Sequence, residues 1–461
     1  MSNYSRVGFA TKIGGLLAAA GSAVGLGNIW RFPTQAGQNG GAAFILVYVI
    51  CICIFGIPLL ISEFAIGRHA RANVGNAYKV LAPNTIWRWI GPLSVLVAFL
   101  IFCYYNVVVA WVLYYTYDAI IGTFVTMGTS VDAAKAFSDH FVEFVSNPWK
   151  PLICLFIVIG IIHFVIVAGV QKGIESSSKL LMPGLFIIMI LLAIFAFFMP
   201  GASKGYEFLF TPDFSAVTPG VILSALGQCF YSMSIGMGMI TYASYFRKDV
   251  DLGKTALSIA FMVTMVAILA GLIIFPAVFS VEGMEPSYGA GLVFVALPNV
   301  FNSALSSVPF FAWLVPILFY IILLVAALTS TMFLHEVSTA YLAETLGWKR
   351  HKSAIVVTLA GLFLGVFCSL SMGPLKDFTI FGMNLFDFDD YVTAKIILPL
   401  TGMAAALFVG WRLTTRQFWT ELTSYGRYKF VWLVPFLILI RFVVPVLIVA
   451  IMVKELGLLS F

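Results

Sequence analysis

A run of glycines, an amide and a charged residue interrupts the first long apolar segment of the chain. It covers residues 21–33 and reads GSAVGLGNIWRFP. Residues that break a helix persist in a membrane only where the backbone is buried in protein or lines a cavity, because every backbone polar group in hydrocarbon needs a partner. Gly25 and Gly27 lower the cost of unwinding there. An unwound turn offers carbonyl oxygens from one half-helix and amide hydrogens from the other, which suits a small zwitterion and a hard cation.

The composition is that of a polytopic membrane protein. Hydrophobic residues make up 61% of the 461 residues and charged residues only 10%, whereas soluble domains carry about 25% charged residues. Eleven apolar runs are long enough to cross a bilayer, which is more than buried core helices would explain in this length of chain. We call them spans 1–11, and they lie at about 12–36, 42–67, 90–121, 152–169, 177–199, 218–244, 255–279, 308–343, 353–371, 386–411 and 430–454.

The basic residues orient these spans. Lysines and arginines concentrate at the N-terminus and in alternate loops, and the positive-inside bias therefore predicts a cytoplasmic N-terminus and an outside C-terminus in the cell membrane. The net charge of +6 follows from these loops, and no nucleic-acid partner is expected. The six cysteines lie in apolar runs and the five histidines are scattered, which favours core positions over a disulfide framework or a metal set.

Span 6 repeats the interruption of span 1. Ser232, Ser234 and the Gly-x-Gly at 236–238 place hydroxyls and glycines at mid-membrane depth. Corresponding interruptions in two five-helix halves indicate an inverted repeat with a binding site between the halves. Small residues at four-residue spacing could instead serve only close helix packing, an alternative that explains one segment more easily than both. The expected boundaries within a single domain, 1–461, are 10–199 for repeat one, 218–411 for repeat two and 430–454 for an extra helix.

Two pairs of charged residues are candidate gates. An ionisable group at membrane depth costs roughly 2.5–3.5 kcal/mol and needs a partner or a cavity. Arg31, just beyond the break in span 1, and Asp390, at the start of span 10, are predicted to face each other as an outer gate, although separate interfacial positions would also account for them. Arg6 and Glu344 are the candidate inner gate, with a solvated loop charge as the alternative for Glu344.

Other polar groups lie inside the spans. Glu336 in span 8 suggests a carboxyl kept neutral by burial, for which we assign no transport role. Lys395 and Arg441 have no partner that the sequence identifies. A buried phenol needs a hydrogen-bond partner, so one of Tyr104 and Tyr105 in span 3 is expected to face the site.

These motifs resemble the neurotransmitter:sodium symporter family, especially its bacterial amino-acid transporters, over nearly the whole chain. The matching stretches are GSAVGLGNIWRFPTQAGQNGGAAF, GQCFYSMSIGMGMITYASYFRKD, ALTS and LFDFDDYVTAKIILPL. The resemblance implies an all-α LeuT-type fold with eleven transmembrane helices, a five-plus-five inverted repeat and broken helices 1 and 6. It also implies sodium-coupled import of a neutral, hydrophobic or aromatic amino acid by alternating access.

Two alternatives of the same fold stay open: coupling to one sodium ion or to protons, and a non-transporting amino-acid sensor. An enzyme is not expected, because the implied pocket holds no nucleophile with a base and no paired carboxylates. Oligomeric state is not predicted. By resemblance, the substrate pocket maps onto Ala23, Gly25, Gly27, Ile101, Tyr105, Tyr231, Ser232, Ser234, Met237, Ser330 and Leu334.

The resemblance implies two sodium sites. The second site maps onto the carbonyls of Gly21, Val24 and Ala326 and the hydroxyls of Thr329 and Ser330, in keeping with the preference of hard cations for oxygen.

The first sodium site maps onto Ala23, Asn28 and Ser232, together with an Asn or Asp of helix 7. Here the chain departs from the family, because the expected polar position in span 7 holds Val263, with Thr264 beside it. We therefore expect sodium to bind chiefly at the second site.

Three further features follow from the resemblance. Chloride-dependent relatives coordinate the anion through residues that match Tyr48, Gln228 and Ser232, but span 7 offers Ala267 at one expected polar place, so chloride dependence stays open. Relatives that carry biogenic amines have an aspartate where this chain has Gly25, which favours a substrate with its own carboxylate.

A last family element lies on helix 5. Gly173 and Pro183 flank nine residues, as in the family's Gly-x9-Pro element, which is associated with unwinding of helix 5.

Overall fold

The computed structural model describes residues 7–130, 132–281, 291–306 and 308–458, and these are almost entirely helical. Among them, nine helices are long and apolar enough to cross a membrane, and one bent pair forms a tenth span. The pair Lys12–Ala23 and Gly27–Gln38 is span 1, with a bend of 56°. The others are Ala42–Ala70, Ile86–Ile121, Lys150–Val167, Val170–Phe197, Leu252–Val278, Pro309–Leu346, Arg350–Leu370, Leu385–Arg412 and Leu433–Glu455, which are spans 2–5 and 7–11.

Span 6 is also broken, as expected. It consists of Pro219–Ser232 and Met239–Ala243, joined by an irregular turn. Each piece alone is too short to count as a crossing helix, so the predicted total of eleven is not confirmed by length. Shorter helices that connect the spans are Val74–Leu81, Thr123–Gly128, Ala133–Ser146, Ala202–Phe210, Leu297–Ala304 and Thr415–Leu422.

The two breaks have different causes in the backbone. In span 6, Ser234, Gly236 and Gly238 have φ values of 51°, 82° and 106°, the left-handed region that glycine enters at little cost. In span 1, Val24 is extended, with φ −79° and ψ 93°. Gly25 is needed there for space, because a Cβ at this position would lie 2.7 Å from the Ser330 hydroxyl oxygen.

Hydrogen bonds between side chains link span 8 to spans 3 and 9. Span 8 packs along span 3, and the Thr331 hydroxyl donates to Asn106 Oδ1 at 2.9 Å. His335 Nε2 lies 2.9 Å from the Thr358 hydroxyl of span 9. Since buried polar groups are costly without partners, these bonds fix the spans that face the two broken helices.

At the end of the helix bundle where span 1 begins, aromatic contacts and hydrogen bonds hold the residues before span 1 against neighbouring spans. The Phe9 ring makes edge contacts with Tyr242 and Tyr245. Glu175 of span 5 accepts hydrogen bonds from the Ala10 amide at 2.6 Å and from the Thr11 hydroxyl at 2.7 Å. The first half of span 1 is therefore tied to spans 5 and 6 at this end.

Glu336, for which the sequence suggests a carboxyl kept neutral by burial, has a cationic partner in the structure. The Arg350 guanidinium donates to its Oε1 at 3.0 Å and to its Oε2 at 2.5 Å, and the Tyr245 hydroxyl donates to Oε1 at 2.7 Å. The sequence did not identify this partner, because Arg350 is the first residue of span 9 and reaches the carboxylate only through the way spans 8 and 9 pack.

We expect Arg350→Leu to lower the thermal stability of the detergent-solubilised protein, because it leaves the Glu336 carboxylate buried without its cation. Removing one partner of a buried ion pair costs about 3–5 kcal/mol. Lys352→Leu is the matched control, since Lys352 is exposed on the same helix and packs over Trp348. Equal melting temperatures for the two variants would contradict the assignment.

Candidate functional site

A cavity of about 570 Å³ lies where the breaks of spans 1 and 6 face spans 3, 8 and 10. Its size falls within the range of small-molecule sites, about 300–1,000 Å³. Most of the residues predicted for the substrate pocket line it. They are Ala23, Gly25, Gly27, Ile101, Tyr105, Tyr231, Ser234, Met237, Ser330 and Leu334.

Ser232 is the predicted pocket residue that the structure does not bring to the cavity. It is buried, and its hydroxyl accepts a hydrogen bond from Gln228 Nε2 at 2.9 Å. The next hydroxyl along the turn, Ser234, lines the cavity and donates to the Ser22 carbonyl at 2.8 Å. The unwound turn of span 6 thus directs its two serines to different places.

At the buried end of the cavity, which we call its floor, the backbone at Gly25 lies between the hydroxyls of Ser330 and Tyr105 with no side chain covering it. The Leu26 amide donates to the Tyr105 hydroxyl at 3.4 Å. A Cβ at Gly25 would lie 2.7 Å from the Ser330 hydroxyl and 3.4 Å from that of Tyr105. The second half of span 1 begins here, and the first amides of a helix attract anions. The arrangement can accept a small carboxylate.

The residues predicted for the second sodium site lie together. The Ser330 hydroxyl is 3.4 Å from the carbonyl oxygens of Gly21 and Val24, and the Thr329 hydroxyl donates to the Ala326 carbonyl at 2.9 Å. Ser330 has one hydrogen to share among its acceptors, and 3.4 Å is long for a hydroxyl hydrogen bond. This surplus of oxygen acceptors fits a hard cation.

Two of the residues predicted for the first sodium site, Ala23 and Asn28, are in contact, and the expected ligand position in span 7 holds a valine. Asn28 Nδ2 donates to the Ala23 carbonyl at 2.7 Å, while the buried Asn28 Oδ1 has no partner among the described residues. Val263 is completely buried. The Thr264 hydroxyl donates to the Ala260 carbonyl of its own helix at 2.8 Å.

The residues that match the family's chloride site form a buried group next to this one. Gln228 Nε2 donates to the Gly27 carbonyl at 3.0 Å and to Ser232, and Tyr48 lies beside Ser232. Gln228 Oε1 is buried without a partner among the described residues. The buried Ala267 supplies no polar group from span 7.

Four charged side chains line the solvent-accessible part of the cavity, which we call its opening: Arg31, Asp390, Lys395 and Glu455. The Arg31 guanidinium lies over the Tyr231 ring, 3.9 Å from its centroid. In the part of the chain that the structure describes, Arg31 and Asp390 line the same opening without a contact of 4.0 Å or less between their charged atoms. The outer gate therefore stays a prediction.

The inner gate cannot be compared with the structure, because Arg6 lies outside the described residues. Glu344 accepts hydrogen bonds from the Asn73 backbone amide at 3.2 Å and from its side-chain Nδ2 at 2.6 Å. This carboxylate therefore contacts the start of the helix that follows span 2.

The Gly-x9-Pro element lies in a continuous span 5. Gly173 belongs to a wide helical turn, Val170–Glu175, and a Cβ there would clash with the Val165 carbonyl oxygen. Pro183 lies inside the helix that follows. Close approach of two backbones therefore requires glycine at 173.

Several wall residues were missed from the sequence. Phe333 and Leu26 adjoin predicted positions, so periodicity could have found them. No sequence pattern indicated that Glu455 lines the cavity, because it is the last residue of span 11, which lies outside both predicted repeats. Of the two cations left without a partner, Lys395 lines the opening, whereas Arg441 lies elsewhere and donates to the Gly410 carbonyl at 2.6 Å.

Comparison with known proteins places this geometry in a family. The sequence profile described as the sodium:neurotransmitter symporter family matches residues 6–127 and 130–459. The sodium-dependent transporter YhdH of Bacillus subtilis is 36% identical over 462 residues, covering 100% of both chains. A sodium-dependent transporter of Haemophilus influenzae is 37% identical and covers 99% of both.

A solved structure is similar to this one over almost its whole length. It is the crystal structure of MhsT in complex with L-phenylalanine, which is 40% identical and covers 98% of this chain and 100% of its own, with a TM-score of 0.86. The likeness confirms the all-helical fold that the sequence predicts.

Proposed function

This chain belongs to the sodium:neurotransmitter symporter family, and on that premise we propose that it imports a neutral, hydrophobic or aromatic amino acid with sodium. Sodium-coupled transport across a membrane, rather than enzymatic catalysis, follows from the family. The observation that carries the substrate proposal is the uncharged floor of the cavity around the bare backbone at Gly25. The MhsT complex contains L-phenylalanine, which agrees with this class of substrate.

The cavity favours a ligand that brings its own carboxylate. Gly25 leaves no side chain to pair with a lone amine, and the backbone at this point is open between Ser330 and Tyr105. Farther along the wall, Ile101 and Met237 supply apolar surface for a side chain. A buried charge on that side chain would cost several kcal/mol without a partner.

Alternating access is supported by the asymmetry of the cavity. Its lining is buried at Gly25 and Ser330 but partly exposed at Arg31 and exposed at Asp390, while the aromatic contacts of Phe9 close the bundle on the opposite side. With the predicted topology, the open end faces outside and the closed end faces the cytoplasm. A symporter in this state is ready to receive substrate and sodium from outside.

Competition for sodium-driven uptake into proteoliposomes tests the substrate. We expect phenylalanine, tryptophan and leucine to compete with the radiolabelled substrate, and lysine, glutamate and phenethylamine to compete weakly, because these bring an unpaired side-chain charge or lack a carboxylate. Replacing external sodium with potassium or choline is the control for coupling. Preferential competition by lysine, glutamate or the amine would overturn the substrate assignment, and sodium-independent binding without uptake would favour a sensor.

Tyr105→Phe is expected to weaken substrate affinity about ten- to a hundredfold, since a hydrogen bond to a charged group contributes about 1.5–3 kcal/mol. Tyr104→Phe is the matched control, because its hydroxyl lies beside Asp390 at the opening. Equilibrium binding of labelled phenylalanine measures both variants. Wild-type affinity in Tyr105→Phe would argue against contact between this hydroxyl and the carboxylate.

For the cation, we propose that sodium binds chiefly at the second site. Its oxygens converge around Ser330 without enough hydrogens to satisfy them. The first site has one amide oxygen, on Asn28, without a partner among the described residues, and the position in span 7 where a polar ligand is expected holds the buried Val263. Coupling to a single sodium ion is therefore favoured over coupling to two.

The double variant Thr329→Ala with Ser330→Ala is expected to abolish the sodium dependence of uptake, and the wild type should show a sodium Hill coefficient of about one. Ser338→Ala is the control, since it removes a buried hydroxyl of the same helix that has no partner among the described residues. A sigmoidal sodium response in the wild type, or full sodium coupling in the double variant, would show that the first site is functional. Proton-driven uptake without sodium would indicate the alternative coupling ion.

A further inference from the structure

Glu455 belongs to span 11, outside both predicted repeats, yet its side chain borders the opening of the cavity. The preceding residue, Lys454, fixes this helix end to span 6, because its ammonium donates to the Gly220 carbonyl at 3.0 Å and to the Ser224 hydroxyl at 2.5 Å. The position of Glu455 is therefore set by the first helix of span 6.

The carboxylate of Glu455 lies one helical turn from the ring that supports Arg31. A Cβ at Gly227 would be 3.7 Å from Glu455 Oε1, and Tyr231, whose ring lies under the Arg31 guanidinium, is four residues further on. Residues four apart in a helix are neighbours on one face, with Cβ atoms about 5–6 Å apart. Arg31 and Glu455 both lie near Tyr231 and Lys454.

The charges at the opening indicate that the Glu455 carboxylate takes part in its closure. Two cations, Arg31 and Lys395, and two anions, Asp390 and Glu455, line it. When an opening closes and water leaves, each charge needs a partner, because an unpaired buried charge is strongly unfavourable. A gate made of Arg31 and Asp390 alone leaves out Lys395 and Glu455, and Glu455 is the anion placed one helical turn from the ring under Arg31.

We propose that Glu455 is a second acidic gate residue, which pairs with Arg31 as the opening closes and leaves Asp390 to be shared with Lys395. Glu455 does not touch the substrate in this scheme. It acts through Arg31 and is a positioning residue for closure, so span 11 takes part in the gate. The inference rests on the proposed function, since it presumes that the opening closes over bound amino acid.

Labelling of a reporter cysteine from outside tests this gate. Ala394→Cys places a small thiol on the wall of the opening, and a membrane-impermeant maleimide reports its exposure in whole cells, with labelling of the native cysteines subtracted. The rate is measured in sodium alone and in sodium with L-phenylalanine. We expect Glu455→Gln to raise the rate about two- to fivefold in the presence of phenylalanine, as befits the loss of one partly exposed ion pair.

Two comparisons separate a gate from a general loosening of the helix. Glu143→Gln removes an equivalent charge from the helix Ala133–Ser146, away from the opening, and should leave the rate unchanged. In an Arg31→Ala background, Glu455→Gln should add nothing, because the carboxylate then has no partner to lose. Melting temperatures confirm that the compared variants are folded.

The outcomes for the inference and for the proposed function are distinct. Protection of the thiol by phenylalanine in the otherwise wild-type protein tests the proposed function, and its absence would contradict transport of this substrate by closure. Where phenylalanine protects the thiol, the ratio of the Glu455→Gln rate to the wild-type rate in its presence tests the gate. A ratio of one, or an increase that persists in the Arg31→Ala background, would overturn the role of Glu455.

Discussion

The structure depends on how the backbone N–H and C=O groups of two broken helices find hydrogen-bond partners inside a membrane, where water cannot supply them. In span 6, the Gly236 amide donates to Glu63 Oε1 at 2.6 Å, and the Gly236 carbonyl accepts from the Thr401 hydroxyl at 3.0 Å. In span 1, Gln228 Nε2 donates to the Gly27 carbonyl at 3.0 Å. The breaks thus survive because spans 2, 6 and 10 bring polar side chains to them, and those spans are in turn fixed around the cavity.

The hydrogen-bond partners that the protein supplies do not satisfy every polar group at the break in span 1. Ser330 is at long distance from several carbonyl oxygens, and Asn28 Oδ1 is buried without a partner among the described residues. In a low-dielectric interior such groups favour any ligand that completes them. In the proposed function, sodium meets the carbonyl surplus, and an amino acid brings a carboxylate to the amides at the start of a helix. The transported species therefore act as the missing partners of an interrupted backbone.

Sequence patterns predicted the parts of the site that depend on local chemistry. The break in span 1, the second break near Ser234 and the hydroxyls of span 8 are all recognisable because glycines and hydroxyls are unusual in a spanning helix. Gly25 was expected to serve unwinding, whereas in the structure it makes room beside Ser330. The Arg350 partner of Glu336 and the place of Glu455 at the opening could not be predicted from periodicity, since both depend on how distant helices pack.

A gate that carries four charges behaves differently from one that carries two. Arg31 over Tyr231 keeps part of its stabilisation while the opening is wide, because a cation over an aromatic face needs no carboxylate. In the proposed gate, closure exchanges water for two carboxylates, one on span 10 and one on span 11. The exchange is close to balanced, since desolvation of the ions opposes their attraction. A nearly balanced gate can be tipped by the modest differential binding energy of a small amino acid and a cation, which is what reversible alternating access requires.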